Sequence, residues 1–514
     1  MLDIDRFGRM NDLITSIVSA AIERARAKGE LKSTPASITV EQPRDPTHGD
    51  RATNVALALA REEKKAPRVI AEIIRANVEL SAELKEVTVA GRGFINFRMA
   101  PAYWRRQMRR AGEEGAAFFR PQPWELRAGG GRKFQVEFLS ANPTGPLTVG
   151  HGRNAVLGDT IARMYESAGF DVTREYYFND GGRQMKLLGE SVRVRYLEEL
   201  GREATLPQDG YQGEYIREIA RSLVNQHGDT LTSATGNDAF RKAAVDSIFA
   251  DIRATCERLG IRFTVFTNEL DLMREGRVDA VVAALRERGL VQERDGAVWL
   301  RGEPLGLPKD VVLIRSGPER EPTYRAPDIA YHLQKLERGF DLVVDVFGAD
   351  HIAEHQGVIA AVKALGGDTS TIRAIIYQFV TLTRGGERVK MSTRRATYVT
   401  LDELLDEVGA DVVRFFFLFR KHDSHLDFDL DLAKRQAPEN PVFYVQYAHA
   451  RMASVFREGE KAELGLPPDR SAVDLALLTD EELELAKLAL GLREVMTESA
   501  RALEPHRVAF YLLE

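Results

Sequence analysis

The sequence predicts a multidomain α/β protein, with a Rossmann-like parallel-sheet domain between an N-terminal α+β module and a C-terminal all-α bundle. Three observations carry this prediction. Residues 134–177 read as strand, Pro/Gly-rich loop, helix and strand, which is a βαβ unit with a ligand crevice at the carboxyl ends of its strands. Roughly the first 110 residues instead alternate amphipathic helices with short β-rich runs, and from Leu401 onward helical periodicity takes over. At 514 residues the chain has room for three or four domains of about 150 residues each.

Composition narrows the class. Lys and Arg number 71 against 77 Asp and Glu, a formal charge of −6 that argues against a wholly nucleic-acid-coated protein and leaves a local basic groove open. A single cysteine excludes a disulfide framework and a cysteine-based zinc knuckle, and points to a reducing, cytoplasmic setting. Acidic residues stand at Asp3 and Asp5, where a secretory leader needs basic ones, and no apolar run approaches the ~18 residues of a membrane span. Val412–Phe419, the most apolar stretch, is interrupted by Arg414 and reads as a buried element.

Taken in order, Phe7, Met10, Leu13, Ile14, Ile17, Val18, Ala21 and Ile22 lay one stripe on a helix that ends near Gly29. A strand is expected around Ile38–Glu41, a helix from near Asp50, and another over Val69–Leu80 behind Pro67. Val87–Val89 and Phe94–Phe97, joined through Gly91 and Gly93, read as a hairpin that completes a module over 1–110. A helix rich in arginine (105, 106, 109, 110) leads out of it, and 111–132, with three glycines at 129–131, reads as a linker. The sheet domain is placed at 133–400. Its helix stops at Gly169, a mostly helical, highly charged insertion occupies about 185–310, and sheet signals resume at Leu342–Phe347 and Ile372–Thr383. Helices over Val442–Phe456 and Leu483–Leu503 define the region 401–514.

Two segments carry chemistry. At Ser140–Asn154 a loop with Gly145 and Gly150 enters a helix, whose free N–H groups and positive dipole end suit nucleotide phosphates. Gly150 lets a flat ring approach the backbone, and His151 can donate a hydrogen bond to an oxygen that gains charge in a displacement at phosphorus. Strand-to-helix loops commonly carry Gly and Pro for packing alone, so this signal is of middling weight. The second segment, Glu387–Arg395, is a basic loop suited to clamping phosphates and neutralising departing pyrophosphate, although most basic loops are simply solvated.

Together the two segments resemble the signatures of a class I aminoacyl-tRNA synthetase, and specifically of the arginyl-tRNA synthetase family. Thr148-Val149-Gly150-His151 is similar to the HIGH motif, Lys390-Met391-Ser392-Thr393 to the KMSK motif, and Asn440–Arg451 to the first helix of the family's anticodon domain. The likeness runs from Val40 to the last residue. It departs in two places: Thr148 stands for the first HIGH histidine and Thr393 for the second KMSK lysine, leaving Lys390 with Arg394 or Arg395 as the phosphate clamp.

The resemblance implies ATP, accompanied by Mg²⁺, L-arginine and tRNA(Arg) as substrates, a monomer, no membrane association and no protein-held metal. It implies catalytic roles for His151, Lys390, Thr148 and Arg394. ATP is expected at Gly150, His151, Gly348, Asp350, His351, Gln378, Lys390, Met391 and Ser392, and arginine at Glu137, Ser140, Asn142, His151, Glu269, Tyr324 and Asp328. A guanidinium needs a buried carboxylate, and Tyr324 and Asp328 face one way if a helix starts there; without the resemblance, Asp328 as a helix cap and Tyr324 as core would be the plainer reading. Asn179, Asp180 and Gln184 are expected to line the same pocket. For tRNA, Asn54 in the N-terminal module and Tyr447 are the candidate contacts, against a local turn for the first and a core aromatic for the second. A weakly active tRNA-binding paralogue and a class I enzyme for another amino acid remain the rival readings. Because the last helix ends at Glu514 without a stop signal, and the family continues for several helices, the C-terminal bundle is expected to be incomplete.

Overall fold

The computed structural model describes residues 10–43, 45–126, 131–233, 237–318, 320–389, 399–465 and 473–514. Its chain divides into two compact units, Met1–Arg120 with Gly459–Glu494, and Pro121–Glu458 with Val495–Glu514.

In the first unit, helices α1 (Met10–Ala27), α2 (Val55–Glu63), α3 (Pro67–Ala76) and α4 (Pro101–Glu114) pack on strands β1 (Val40–Glu41), β2 (Arg51–Thr53), β3 (Leu84–Ala90) and β4 (Phe94–Met99). The sheet is antiparallel in the order β1-β2-β4-β3. The periodic face of α1 is buried from Met10 to Ala25, against Ile70 and Ile74 of α3 and Ile95 and Phe97 of β4. Pro67 opens α3, where its missing N–H costs nothing. The helix expected from Asp50 begins five residues later, at Val55. Residues 51–53 instead form a strand between β1 and β4, and Asp50 accepts the Met99 N–H at 2.7 Å. Three residues are too few for strand periodicity to register in a sequence.

The second unit opens with a short helix α5 (Pro123–Leu126) and holds the parallel sheet. Strand β5 (Lys133–Glu137), helix α6 (Val149–Ser167) and strand β6 (Asp171–Phe178) form the expected βαβ unit. Helices α7 (Gly182–Glu199), α8 (Glu214–His227) and α9 (Asp238–Arg258) follow, then β7 (Val265–Asn268), α10 (Glu269–Arg274) and α11 (Arg277–Glu287). A three-stranded antiparallel sheet of β8 (Val291–Arg294), β9 (Ala297–Leu300) and β10 (Val311–Ile314) leads to α12 (Arg325–Glu337), β11 (Leu342–Gly348), α13 (Ile352–Ala364) and β12 (Ile372–Tyr377).

The main sheet has the order β12-β11-β5-β6-β7, with every pairing parallel. The chain runs outward from β5 through β6 to β7 and returns through β11 to β12, so the switch point lies between β5 and β11, and a crevice opens there at the strand ends. The insertion is thus less helical than its charge suggests: β7 completes the sheet and β8–β10 form a second one. β7 has only four residues, and nothing in its composition reveals the distant partner β6.

The run expected over Ile372–Thr383 is two strands in different sheets. β13 (Val380–Arg384) leaves the main sheet and pairs with β14 (Glu387–Arg388) and, in parallel, with β15 (Leu426–Asp429), a strand in a region expected to be wholly helical. The remaining elements are α14 (Leu401–Val408), α15 (Ala410–Leu418), α16 (Leu430–Lys434), α17 (Pro441–Lys461), α18 (Asp480–Ala502) and α19 (His506–Tyr511). No helix among the described residues is long and apolar enough to cross a membrane.

Helix α6 is fixed by polar anchors as well as by apolar packing. Arg153, 1% exposed, donates to the Gln378 and Ser424 carbonyls at 2.6 and 3.0 Å and to the Lys421 carbonyl at 3.1 Å. Asn154 accepts the Leu139 N–H at 2.7 Å and donates to the Val346 carbonyl at 3.0 Å, tying the β5 loop to β11. Buried Asp159 receives Arg163, Arg174 and Arg414. Gly152 and Gly158 allow close packing: a Cβ would stand 2.6 Å from Leu401 Cδ1 at the first and 2.2 Å from Phe138 Cγ at the second.

Candidate active site

The crevice has two chemically distinct ends. At the end over β5, β11 and β12, Thr148 caps α6: its Oγ1 accepts the His151 N–H at 3.5 Å, while His151 Nδ1 accepts the Thr148 N–H at 3.1 Å. Accepting at Nδ1 places the proton of a neutral imidazole on Nε2. Burial holds the ring neutral, lowering its pKa to about 4. The backbone N–H of Thr148 thus sets the tautomer of His151, while its side chain caps the helix. Gly150 has no atom closer to an added Cβ than Thr148 Oγ1 at 3.8 Å, so the face where a glycine was expected to admit a ring is open.

Gly348 ends β11 opposite Tyr377 of β12, which brings it and Gln378 to adjacent strand ends. The Gln378 carbonyl accepts Arg153, and its N–H donates to the His422 carbonyl at 2.9 Å. Asp350 and His351 are exposed beyond β11, and His351 Nδ1 lies 3.2 Å from Glu354. Lys390, Met391, Ser392, Thr393, Arg394 and Arg395 lie outside the described residues.

The other end, over β5, β6 and β7, is a cleft of about 1120 Å³ whose walls include Asn142, Asn179, Gln184, Glu269 and Tyr324. Glu269, 4% exposed at the start of α10, accepts from Asn179 Nδ2 at 2.7 Å and from the Tyr177 hydroxyl at 3.2 Å. Asn142 accepts the Asn179 N–H at 3.0 Å and faces Gln184 at 3.4 Å, so loop and strand end are cross-linked. Tyr324 is half exposed immediately before α12, and its carbonyl accepts the Asp328 N–H at 3.1 Å, the one-turn relation anticipated for this pair. Burial, with Asp328 nearby, raises the Glu269 carboxyl to about 7. Asp328 rises to about 7 as well: burial is the largest cause and Glu137 adds to it, against His332 and Lys335. Two carboxyls held this way favour a cation that would let both ionise.

Leu139 and Ser140 occupy left-handed backbone conformations (φ 67° and 43°), a strained pair of non-glycine residues at the mouth of the site. The strain aims Ser140: its hydroxyl donates to Glu137 at 3.0 Å and accepts the Tyr177 N–H at 3.1 Å. Glu137 is engaged from below by Lys335, fully buried, at 2.5 Å, and Lys335 also donates to Asp345 at 2.6 Å. Sequence reasoning missed this lysine, along with Arg153, Asn154 and Tyr177. A lysine on a charged helix looks solvated, and only its complete burial marks it out.

Asn54 precedes α2, is exposed and makes no capping bond. On α17, Tyr447 is 53% exposed and stacks on Phe443 at 6.1 Å, with Arg451 5.8 Å from its ring centre. Tyr444 is exposed as well, and Val442 is the buried residue of the helix among the described residues. Cys256 is buried and its thiol is pushed up to about 12 by burial, which removes it as a nucleophile.

A parallel sheet whose switch point carries a capped helix entrance on one side and a carboxylate-lined cleft on the other matches the family description "tRNA synthetases class I (R), catalytic domain" over residues 122–415. This is the catalytic fold of the class I tRNA synthetases. Residues 12–99 match "Arginyl tRNA synthetase N terminal domain" and 445–514 match "DALR anticodon binding domain". The chain is 49% identical over 479 residues to an arginine–tRNA ligase of Desulfotalea psychrophila, spanning 93% of this chain and 85% of the relative. It is also 49% identical over 496 residues to one of Salinibacter ruber, spanning 92% and 86%. The chain belongs to the arginyl-tRNA synthetase family. The Thermus thermophilus arginyl-tRNA synthetase structure has the same fold, with a TM-score of 0.73 at 24% identity over 98% of this chain and 90% of the other.

Proposed function

We propose that this chain is an arginine–tRNA ligase, which joins L-arginine to tRNA(Arg) at the expense of ATP. The observation that carries the reading is the cleft walled by Glu269 and Tyr324, with Asp328 one turn along α12 from Tyr324 and near Glu269, both carboxyls pressed toward protonation. A guanidinium supplies the charge that lets both carboxyls ionise, and its planar fork matches two carboxylates and a phenol. An uncharged amino acid would leave them unpaired, which disfavours a class I enzyme for another amino acid.

In the first step an oxygen of the arginine carboxylate attacks the α-phosphorus of ATP. The bond to the bridging oxygen breaks, giving arginyl-adenylate and pyrophosphate. In the second, a hydroxyl of the terminal tRNA adenosine attacks the adenylate carbonyl and AMP departs. His151, neutral with its proton on Nε2, donates to phosphate oxygens as charge builds there, without first having to lose or gain a proton. Thr148 keeps that tautomer. Gly150 supplies an open backbone surface for adenosine, with Gly348 and Gln378 at the neighbouring strand ends and Asp350 and His351 flanking them, while Ser140 and Asn142 are assigned the amino and carboxylate end of arginine. Lys390, Met391, Ser392 and Arg394 are assigned the phosphate clamp. ATP enters with Mg²⁺ as its counter-ion, and no side chain is assigned to that ion. Exposed Asn54 and Tyr447 are assigned to tRNA.

The test is pyrophosphate exchange and aminoacylation with tRNA(Arg) across all twenty amino acids. Arginine alone should support both. No exchange above background with any amino acid would instead identify a tRNA-binding paralogue.

A further inference from the structure

We propose that His332, Asp345 and His355 form a binding site for a divalent transition metal of the zinc class, beneath the amino-acid cleft. The three residues come from α12, β11 and α13 and share no motif: they are 13 and 10 residues apart (345 − 332 and 355 − 345), so only the fold brings them together. His332 Nε2 lies 3.1 Å and His355 Nε2 3.5 Å from the same oxygen, Asp345 Oδ2, and all three ligand atoms lie within 4.8 Å of one another. Metal–ligand bonds of about 2.1 Å in a tetrahedron give ligand separations of about 3.4 Å. The two separations from Asp345 Oδ2 match that spacing, and the two imidazole nitrogens lie within 4.8 Å of each other.

The hydrogen bonding points the same way. His332 Nδ1 is 2.7 Å from the Asp328 carbonyl and donates to it, and Nε2 faces Asp345 Oδ2 at 3.1 Å. A cation that replaces the proton between Nε2 and Oδ2 would be ligated by both, and an imidazole that donates its other N–H to a backbone carbonyl is the usual bearing of a metal ligand. His355 Nε2 has no hydrogen-bond partner, and its ring is held at 4.8 Å from Phe347 and 5.8 Å from His332. Lys335 occupies Asp345 Oδ1 at 2.6 Å, so Asp345 is left to bind through Oδ2 alone. The surroundings are rich in carboxyls: Glu137, Glu175 and Asp345 are bridged by Lys335 and Arg338, and Asp328 stands beside His332. Two imidazoles and one carboxylate leave a fourth position for water. Bound there, the metal pins α12 to β11 and α13 and, through His332, the backbone that carries Asp328.

The whole chain, stripped with a chelator, is titrated with Co²⁺ and then with Zn²⁺. One equivalent of Co²⁺ should develop the visible absorption of a tetrahedral site, Zn²⁺ should displace it, and Zn²⁺ should raise the unfolding temperature. His355→Ala should weaken Co²⁺ at least about 10-fold and abolish the Zn²⁺ stabilisation. Should His332→Ala fail to fold, His355→Gln, at a partly exposed side chain, decides the matter. No Co²⁺ uptake by the unaltered chain would overturn the site and leave His332 as an imidazolium paired with Asp345. Uptake that persists unchanged in the His355 variants would overturn it too. Neither readout involves arginine or ATP, so failure here leaves the ligase reading standing.

Discussion

The two ends of the crevice are built on opposite plans. At the end proposed for arginine, polar side chains line the site, and each is held by another: Glu269 by Asn179 and Tyr177, Glu137 by Ser140 and Lys335, Asn142 by Asn179. At the nucleotide end the described groups are a helix entrance, glycines at 150 and 348 and the exposed His351, with the polar network below them in Arg153 and Asn154. The difference fits the substrates proposed for the two ends. A flat ring and phosphates need backbone surface and a dipole, whereas a guanidinium must be told from other side chains by paired, desolvated charge.

The largest break in this contrast should come from Asp328→Ala. Removing one partner of a desolvated charge pair costs about 3–5 kcal/mol, so arginine kcat/KM should fall by about 10²–10³-fold or more. ATP KM and tRNA affinity should hold; near-normal arginine use would refute the pocket assignment. Next, His151→Ala removes a preorganised donor and should lower kcat by about 10²-fold in pyrophosphate exchange. Because this ring stays neutral down to about 4, the unaltered enzyme should show no histidine-like loss of rate between pH 6 and 7 from this residue.

Two glycines of α6 sharpen the comparison within one helix. Gly150→Ala meets nothing tight and should leave the unfolding midpoint unchanged or raised, yet increase ATP KM about 10-fold. Gly158→Ala drives a Cβ into Phe138 and should destabilise by about 1–3 kcal/mol, read from chemical denaturation. Equal effects at the two positions would remove the functional reading of Gly150.

The smallest effect is a pH dependence confined to the amino-acid end. Glu269 faces Tyr177 and Asn179 beside β6 and Asp328 on α12, and its carboxyl is raised to about 7. Below that pH it is protonated and cannot pair with a guanidinium, which stays charged throughout. Arginine KM should therefore fall several-fold as pH rises from about 6 to 8, while ATP KM stays flat. A flat arginine KM would mean that Glu269 is ionised in the empty cleft.

Much of this was legible in the sequence. The stripe of α1, Pro67 at the head of α3, the βαβ unit and the hairpin of β3 and β4 follow from local periodicity and turn chemistry, which are properties of short segments. The roles given to the loop at His151 and to the Tyr324–Asp328 pair come from the family resemblance, because spacing alone leaves a packing loop, a helix cap and a core aromatic as equally simple readings. What the sequence could not supply was whatever depends on partners far along the chain. Strands β2, β7 and β15 owe their state to neighbours in the sheet, since three or four residues of pairing carry no periodicity of their own. Burial decided the rest: Lys335, Arg153 and the His332–Asp345–His355 cluster are ordinary polar residues until the fold removes the water around them. Only then must each charge find its partner within the protein.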